Sequence, residues 1–182
     1  MRNRTWAAAL AFLLITGGVA CNRTARGPDV EKQINQSLDA AGLRDVKADQ
    51  DRDKGVVTLK GEVQNEGDKA KAEEIAKSEA AGQVVANEIA VRIPGQESEM
   101  KTTDSALDDG IEDNYKAAIT RNHLDDVKYD AKEGVITLSG TVATEAQRQQ
   151  AEKLAASIPN VKQVVNTIEV SGGKATATTT RK

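Results

Sequence analysis

The sequence predicts an α+β fold written twice: two tandem αββαβ domains, each a small three-stranded sheet with two helices packed on one face. Three observations point there. The chain repeats itself, since Gly55–Val91 and Gly134–Val170 align at an offset of 79 without a gap and share 15 of 37 residues. A self-match extending over about 65 residues exceeds most solenoid units and reads as two domains of one kind. Within each copy the apolar spacing switches from helical to alternating, the mark of helices and half-buried strands in succession. Finally, the copies differ in length by two residues at one place, "DQDRDKG" from Asp49 against "DAKEG" from Asp130. A turn tolerates such an insertion and a packed element does not.

In the first copy Val30, Ile34 and Leu38 recur every four residues, so Asp29–Ala41 is expected to be an amphipathic helix. At an offset of 81 these residues fall on Ile111, Tyr115 and Ile119. A short strand follows around Val46–Gln50. The next strand, Val56–Val63, alternates: Val57, Leu59 and Val63 face one way, Thr58, Lys60 and Glu62 the other. Ile136, Leu138 and Val142 repeat the pattern against Thr137, Ser139 and Thr141. The outward face is expected to be polar and solvated. Gly61 and Gly140 fall on the inward side, which suggests close approach by a helix or a bend in the strand. Glu66–Ala81 and Glu145–Ile158 form the second helix of each copy, Ala-rich where packing must be close. A last strand carries Val85, Ile89 and Val91, matched by Val164, Ile168 and Val170. Just before it, Glu79 and Gly82 stand where the second copy has Ile158 and Val161, so the first core is expected to be poorer at that corner. The domains span 28–94 and 104–171. Between them lies a linker, 95–103, with Pro, Gly and charge, expected to be open to proteases. The polar tail, 172–182, is expected to be disordered.

The start of the chain reads as a targeting segment. "MRNR" is basic, "WAAALAFLLI" is an apolar core of secretory length and "TGGVA" is a small-residue cleavage region, which makes 1–20 a signal peptide. Cys21 follows directly and is the only Cys, so no intramolecular disulfide can form. "GVAC" resembles the lipobox of bacterial lipoproteins, which implies that Cys21 is lipidated and that 21–27 is a tether. Several acyl chains at about 0.8 kcal/mol per buried methylene make a durable anchor. The resemblance also implies that Asn22, in place of Asp, directs the protein to the outer membrane, facing the periplasm. The alternative is ordinary cleavage that leaves a free thiol and a soluble periplasmic protein.

Composition excludes several functions. Loss of Arg2 and Arg4 with the leader lowers the basic side chains from 25 to 23, against 28 acidic ones. That balance disfavours nonspecific nucleic-acid binding, which needs phosphate neutralisation. Trp6 and Phe12 lie in the leader, so aromatic platforms for bases are lacking as well. His123 is the only His and has no Cys or G-x-S-x-G elbow to work with. It is expected at the surface, at a helix end. The paired carboxylates Glu73/Glu74 and Asp108/Asp109 sit in charge-rich stretches and are expected to be solvated, whereas carboxylate catalysis needs desolvated groups in a cleft. The chain is therefore expected to be no enzyme, with no catalytic residue and no cofactor.

A glycine and "V-x-L-x-G-x-V", an Ala-rich helix and then "V-x-N-x-I-x-V" resemble the BON domain, over Pro28–Pro94 and Asp104–Ser171. "IPNVKQVVNTIEV" in the second copy is close to the family's passage from helix to strand, and "EAAGQVVANEIAV" in the first departs from it. The whole plan is similar to the dual-BON outer-membrane lipoproteins of Gram-negative bacteria. The resemblance implies envelope maintenance, responses to osmotic stress and association with anionic phospholipid or envelope proteins. It further implies lipid contact by the first helix of the second domain. That helix is acidic toward its start (Asp104, Asp108, Asp109, Glu112 and Asp113), which suits the helix dipole but repels anionic headgroups. Lys116 and Arg121, with Tyr115 as a candidate interfacial ring, lie toward its end and are the expected contacts. Tyr115 also holds the core register of Ile34. The alternative function is a membrane-attached sensor of a cation or small ligand, with a weak site near Asp49, Asp51 and Asp53. An EF-hand loop would need Gly at its sixth position and Glu at its twelfth, where Lys54 and Lys60 stand, so no metal site is assigned.

Cys21→Ser is expected to move the protein from the membrane to the soluble periplasmic fraction, because the anchor is lost while both domains remain. Retention in membranes after a high-salt wash would show that something other than the acyl chains attaches it.

Overall fold

The computed structural model describes residues 26–171 and 177–181. The first domain runs α1 (Glu31–Ala40), β1 (Val46–Asp51), β2 (Val56–Val63), α2 (Glu66–Glu79) and β3 (Val84–Val91). The second runs α3 (Glu97–Arg121), β4 (Val127–Lys132), β5 (Val135–Val142), α4 (Glu145–Ser157), β6 (Gln163–Asn166), β7 (Glu169–Val170) and β8 (Thr178–Arg181). In each sheet the second strand is central. β1 is antiparallel to β2 and β3 parallel to it; β4 and β6 repeat this around β5, and β7 continues the parallel pairing. Parallel neighbours need a crossover, which α2 and α4 supply.

The helix-facing alternation places Ile34, Leu38, Val57, Leu59 and Ile89 in the first core. Ile111, Tyr115, Ile136, Leu138 and Ile168 take the matching places in the second. The two-residue difference between the copies lies in the hairpin turn, 52–55 in one and 133–134 in the other. Glu133 and Gly134 both have positive φ (51° and 79°), as a tight two-residue turn requires. The corner anticipated as poorer is so. Ile158 and Val161 are buried in the second core, whereas the Glu79 carboxylate turns to accept from Ser37 Oγ at 2.6 Å on α1. His123 also gains a structural role. It ends α3 at φ 56°, where Leu124 N donates to Ile119 O and His123 N to Thr120 O. Gly42 closes α1 with the same two bonds. The lone His is thus the left-handed residue of a helix C-cap, a place that His tolerates better than most side chains.

Three expectations need correction. The tail is not wholly without structure, because Thr178–Arg181 forms β8, antiparallel to β6. A hydroxyl-rich extended segment can satisfy an open strand edge even without apolar side chains. The linker narrows to Pro94–Gln96, because 97–103 forms the first turns of α3. No breaker follows Pro94 and Gly95 until Gly110, which has open space around it. The outward sheet faces are not simply solvated, since Val56 and Ala86 pack against Val135 and Val165 of the other domain. These four lie on the same sheet faces as Thr58 and Thr137, so the two sheets meet there on their helix-free sides.

Gly61 and Gly140 show why a side chain is excluded from that position, and the obstacle is not a helix. Their φ angles are 129° and 109°. A Cβ would lie 2.0 Å from Asp45 O in the first case and 2.4 Å from Asp126 O in the second. Each glycine pairs with the first residue of the adjacent strand, Val46 or Val127, so the clash is with the backbone that enters that strand. Gly140→Val is therefore expected to lower the melting midpoint of the chain, since strained backbone costs about 1–3 kcal/mol and overfilling a similar amount. Gly110→Ala is expected to raise it by up to about 1 kcal/mol in stability, the helix-propensity difference. A raised midpoint for Gly140→Val would reject the backbone clash.

Candidate functional site

Two polar residues that join the domains stand where the two copies disagree. Gln163 replaces Val84 at the matching position, and Arg92 replaces Ser171. The Gln163 amide lies along β3. It donates from Nε2 to Val85 O at 2.8 Å and accepts from Asn87 N at 3.3 Å. It thereby takes the place of a neighbouring strand's peptide. Arg92 directly follows β3 and is 7% exposed. Its guanidinium donates to Asp104 on α3 and, at 2.9 Å, to Glu133 in the β4–β5 turn, with Glu62 at 3.8 Å. Asp108 closes the same corner by accepting from the backbone N of Glu133 and Gly134.

A second device is common to both copies. Asn87 donates to Glu73 at 2.8 Å, and Asn166 donates to Glu152 at 3.0 Å. Each Asn also accepts from the backbone N two residues on. Both glutamates then receive the tail. Thr178 and Thr180 donate to Glu152, at 2.9 and 2.5 Å, while Arg181 forms a two-armed ion pair with Glu73 of the other domain. Burial by itself would raise both carboxyls. Hydrogen bonds from Lys77, Asn87 and Arg181 outweigh it and hold Glu73 below the usual range; those from Thr180, Asn166 and Thr178 do the same for Glu152. Glu73 is thus not the solvated carboxylate expected, and Asp108 is engaged in a turn, whereas Glu74 and Asp109 are exposed.

The remaining anticipated residues separate. Cys21 lies outside the described residues. Tyr115 is fully buried, its hydroxyl donating to Ala151 O at 3.2 Å and its ring edge-on to Tyr129. It is a core residue and offers no ring to an interface, because its register with Ile34 turns it inward. Lys116 and Arg121 are exposed. Asp49, Asp51 and Asp53 line one open cleft, but each has its own basic partner. Asp49 pairs with Lys60, Asp51 with Lys54 and Asp53 with Arg26. Among the described residues no group of three or more His, Cys, Asp or Glu is placed to hold a metal ion.

Two open clefts flank the seam. One, of about 420 Å³, has Glu62, Glu88, Asp104 and Glu133 among its lining, with Arg92 and Lys132. Burial pushes the Glu88 carboxyl up, and Asp130 and Asp108 add to the shift. The other, of about 540 Å³, lies on the first domain beside Arg44, Val63 and Pro94. No helix among the described residues is long and apolar enough to cross a membrane.

The BON domain family model matches the chain twice, over residues 28–93 and 107–172. No curated protein sequence matches it. Two solved structures of CdsD, a structural protein of the type III secretion system of Chlamydia trachomatis, are similar at 10% identity. The C-terminal domain structure has a TM-score of 0.32, covering 78% of this chain and 65% of that one. The second has a TM-score of 0.33, covering 78% and 61%. The chain therefore spans less than two thirds of the length of either structure.

The lowered carboxyls set an expected acid response. A carboxyl depressed in the folded state adds stability above its unfolded value, about 4.3 for Glu, and loses it as pH falls through the folded value. Thermal melting is therefore expected to show a steep loss below about pH 4. Glu152→Gln should cost about 1–2 kcal/mol at pH 7 and flatten part of that acid loss. Glu88→Gln should act the other way, because a carboxyl raised by burial costs stability while ionised. A Glu152→Gln profile parallel to that of the unaltered chain would remove Glu152 from the account.

Proposed function

Because the chain belongs to the BON domain family, we propose that it is a non-enzymatic, membrane-tethered binding module of the cell envelope, anchored by lipidated Cys21 and acting on anionic phospholipid in outer-membrane integrity under osmotic or envelope stress. BON domains are known for membrane or phospholipid binding, are generally non-catalytic, and occur in periplasmic or envelope-associated proteins. The observation that carries the reading is the pair of complete domains, joined on their helix-free sides. Their helix layers remain free to meet a surface.

The acidic half of α3 is less hostile to headgroups than its sequence suggests. Asp104 is held by Arg92, Asp108 by the β4–β5 turn, and Glu112 accepts from Ala131 N. Lys116 and Arg121 project from the other half and are exposed. Each basic side chain near an anionic membrane surface contributes about 1 kcal/mol. The cation-sensor alternative has less support, because its three carboxylates are each paired with a separate basic side chain.

Soluble Cys21→Ser protein is expected to co-sediment with vesicles containing anionic phospholipid, to be released by salt, and to leave neutral vesicles unbound. Lys116→Glu with Arg121→Glu should lower binding at least ten-fold, since two contacts of about 1 kcal/mol are reversed. Absence of binding, together with a cation-dependent rise in melting midpoint, would favour the sensor instead.

A further inference from the structure

The two domains close their outer sheet edges in different ways. The edge of β3 is sealed by side chains of the packed body. Gln163 bonds Val85 and Asn87, Lys69 Nζ donates to Ile89 O at 2.6 Å, and Asn87 Oδ1 accepts from Ile89 N. The equivalent edge of β6 is sealed by β8, whose register sets Asn166 opposite Thr178 and Gln163 opposite Arg181. β8 is four residues long and carries three Thr and one Arg, none of them buried. Apolar burial therefore contributes little to holding it. Such a segment belongs to the low end of local opening free energies, well below the strands of the core.

The groove that receives β8 is nonetheless specific. Glu152 accepts from the hydroxyls at two alternate positions, Thr178 and Thr180. Gln163 donates to the hydroxyl between them, at Thr179. Glu73, from the other domain, meets the cation that follows, at Arg181. An extended chain with three successive hydroxyls and a basic residue after the last one satisfies every contact. Strand addition of this kind draws affinity from the backbone ladder and selectivity from the side chains.

We propose that the edge of β6, with Glu152 and Glu73, is a strand-docking site, and that its occupant in trans is the C-terminal strand of a second copy of this chain. The segment shown to fit is β8 itself. Reciprocal exchange of β8 between two copies reproduces each bond in a closed two-fold pair and needs no new surface. The cis strand competes at high effective concentration, so exchange is governed by how readily it opens.

The test titrates a fluorescent peptide of sequence Ala177–Lys182 with soluble Cys21→Ser full chain. A second full chain carries Thr180→Val and Arg181→Glu as well, which weaken the cis strand. The peptide is expected to bind the second chain at least ten-fold more tightly than the first, and a peptide with the same two substitutions is expected to bind neither. Equal affinity for both chains, or no discrimination between the peptides, overturns the site. Size-exclusion chromatography after concentration should show a dimer with the native tail that is lost with the substituted one. A monomer at every concentration overturns the second copy as occupant. Hydrogen exchange on the chain with its native tail is independent of variant folding. Amides of β8 should exchange at least ten-fold faster than those of β5, and equal protection overturns the opening on which exchange depends.

Discussion

A three-stranded sheet must do something with its outer edge, and that constraint organises this molecule. The parallel strand of each domain, β3 or β6, presents N–H and C=O groups on the side away from the central strand. Left open, such an edge invites pairing with another chain. The first domain has its edge closed in part by its own Lys69 and Asn87 and in part by the Gln163 amide of the second, which couples the domains through a side chain that imitates a peptide. The second has its edge closed by the end of the chain. Domain seam and tail strand are two answers to one problem.

Charge placement then selects how the domains sit. Arg92 reaches from the first domain to Asp104 and Glu133, and Arg181 reaches from the tail of the second back to Glu73. Buried ion pairs add little net stability because desolvation offsets their attraction. Their value here is geometric. The apolar part of the seam is small, with Val56, Ala86, Val135 and Val165 at its centre, and side chains of that size do not specify one orientation. Arginines with fixed donor geometry do.

The same economy bears on function. Several glutamates and asparagines among the described residues are engaged at strand edges and turns. The paired carboxylates that resemble catalytic dyads in sequence divide into one structural member and one exposed member: Glu73 is engaged and Glu74 exposed, Asp108 engaged and Asp109 exposed. What remains accessible is surface, chiefly the outer helix faces and the C-terminal strand, which accords with a binding family.

Local pattern by itself determined the architecture. The offset repeat, the switch from four-residue spacing to alternation and the two-residue insertion in the hairpin place two αββαβ domains, their cores and that turn. All of these depend on neighbours in sequence, which periodicity records. The poorer corner at Glu79 was legible for the same reason, as a difference between aligned copies. Tertiary structure alone decided what the copies do to each other. Gln163 and Arg92 stand out in sequence only as mismatches between repeats, and nothing local says that one seals a strand edge and the other crosses a domain boundary. The conformation of Thr178–Arg181 was equally hidden, because a hydroxyl-rich tail has no apolar periodicity. It becomes a strand only where an unpaired edge and two waiting carboxylates, 26 and 108 residues away along the chain, are brought beside it.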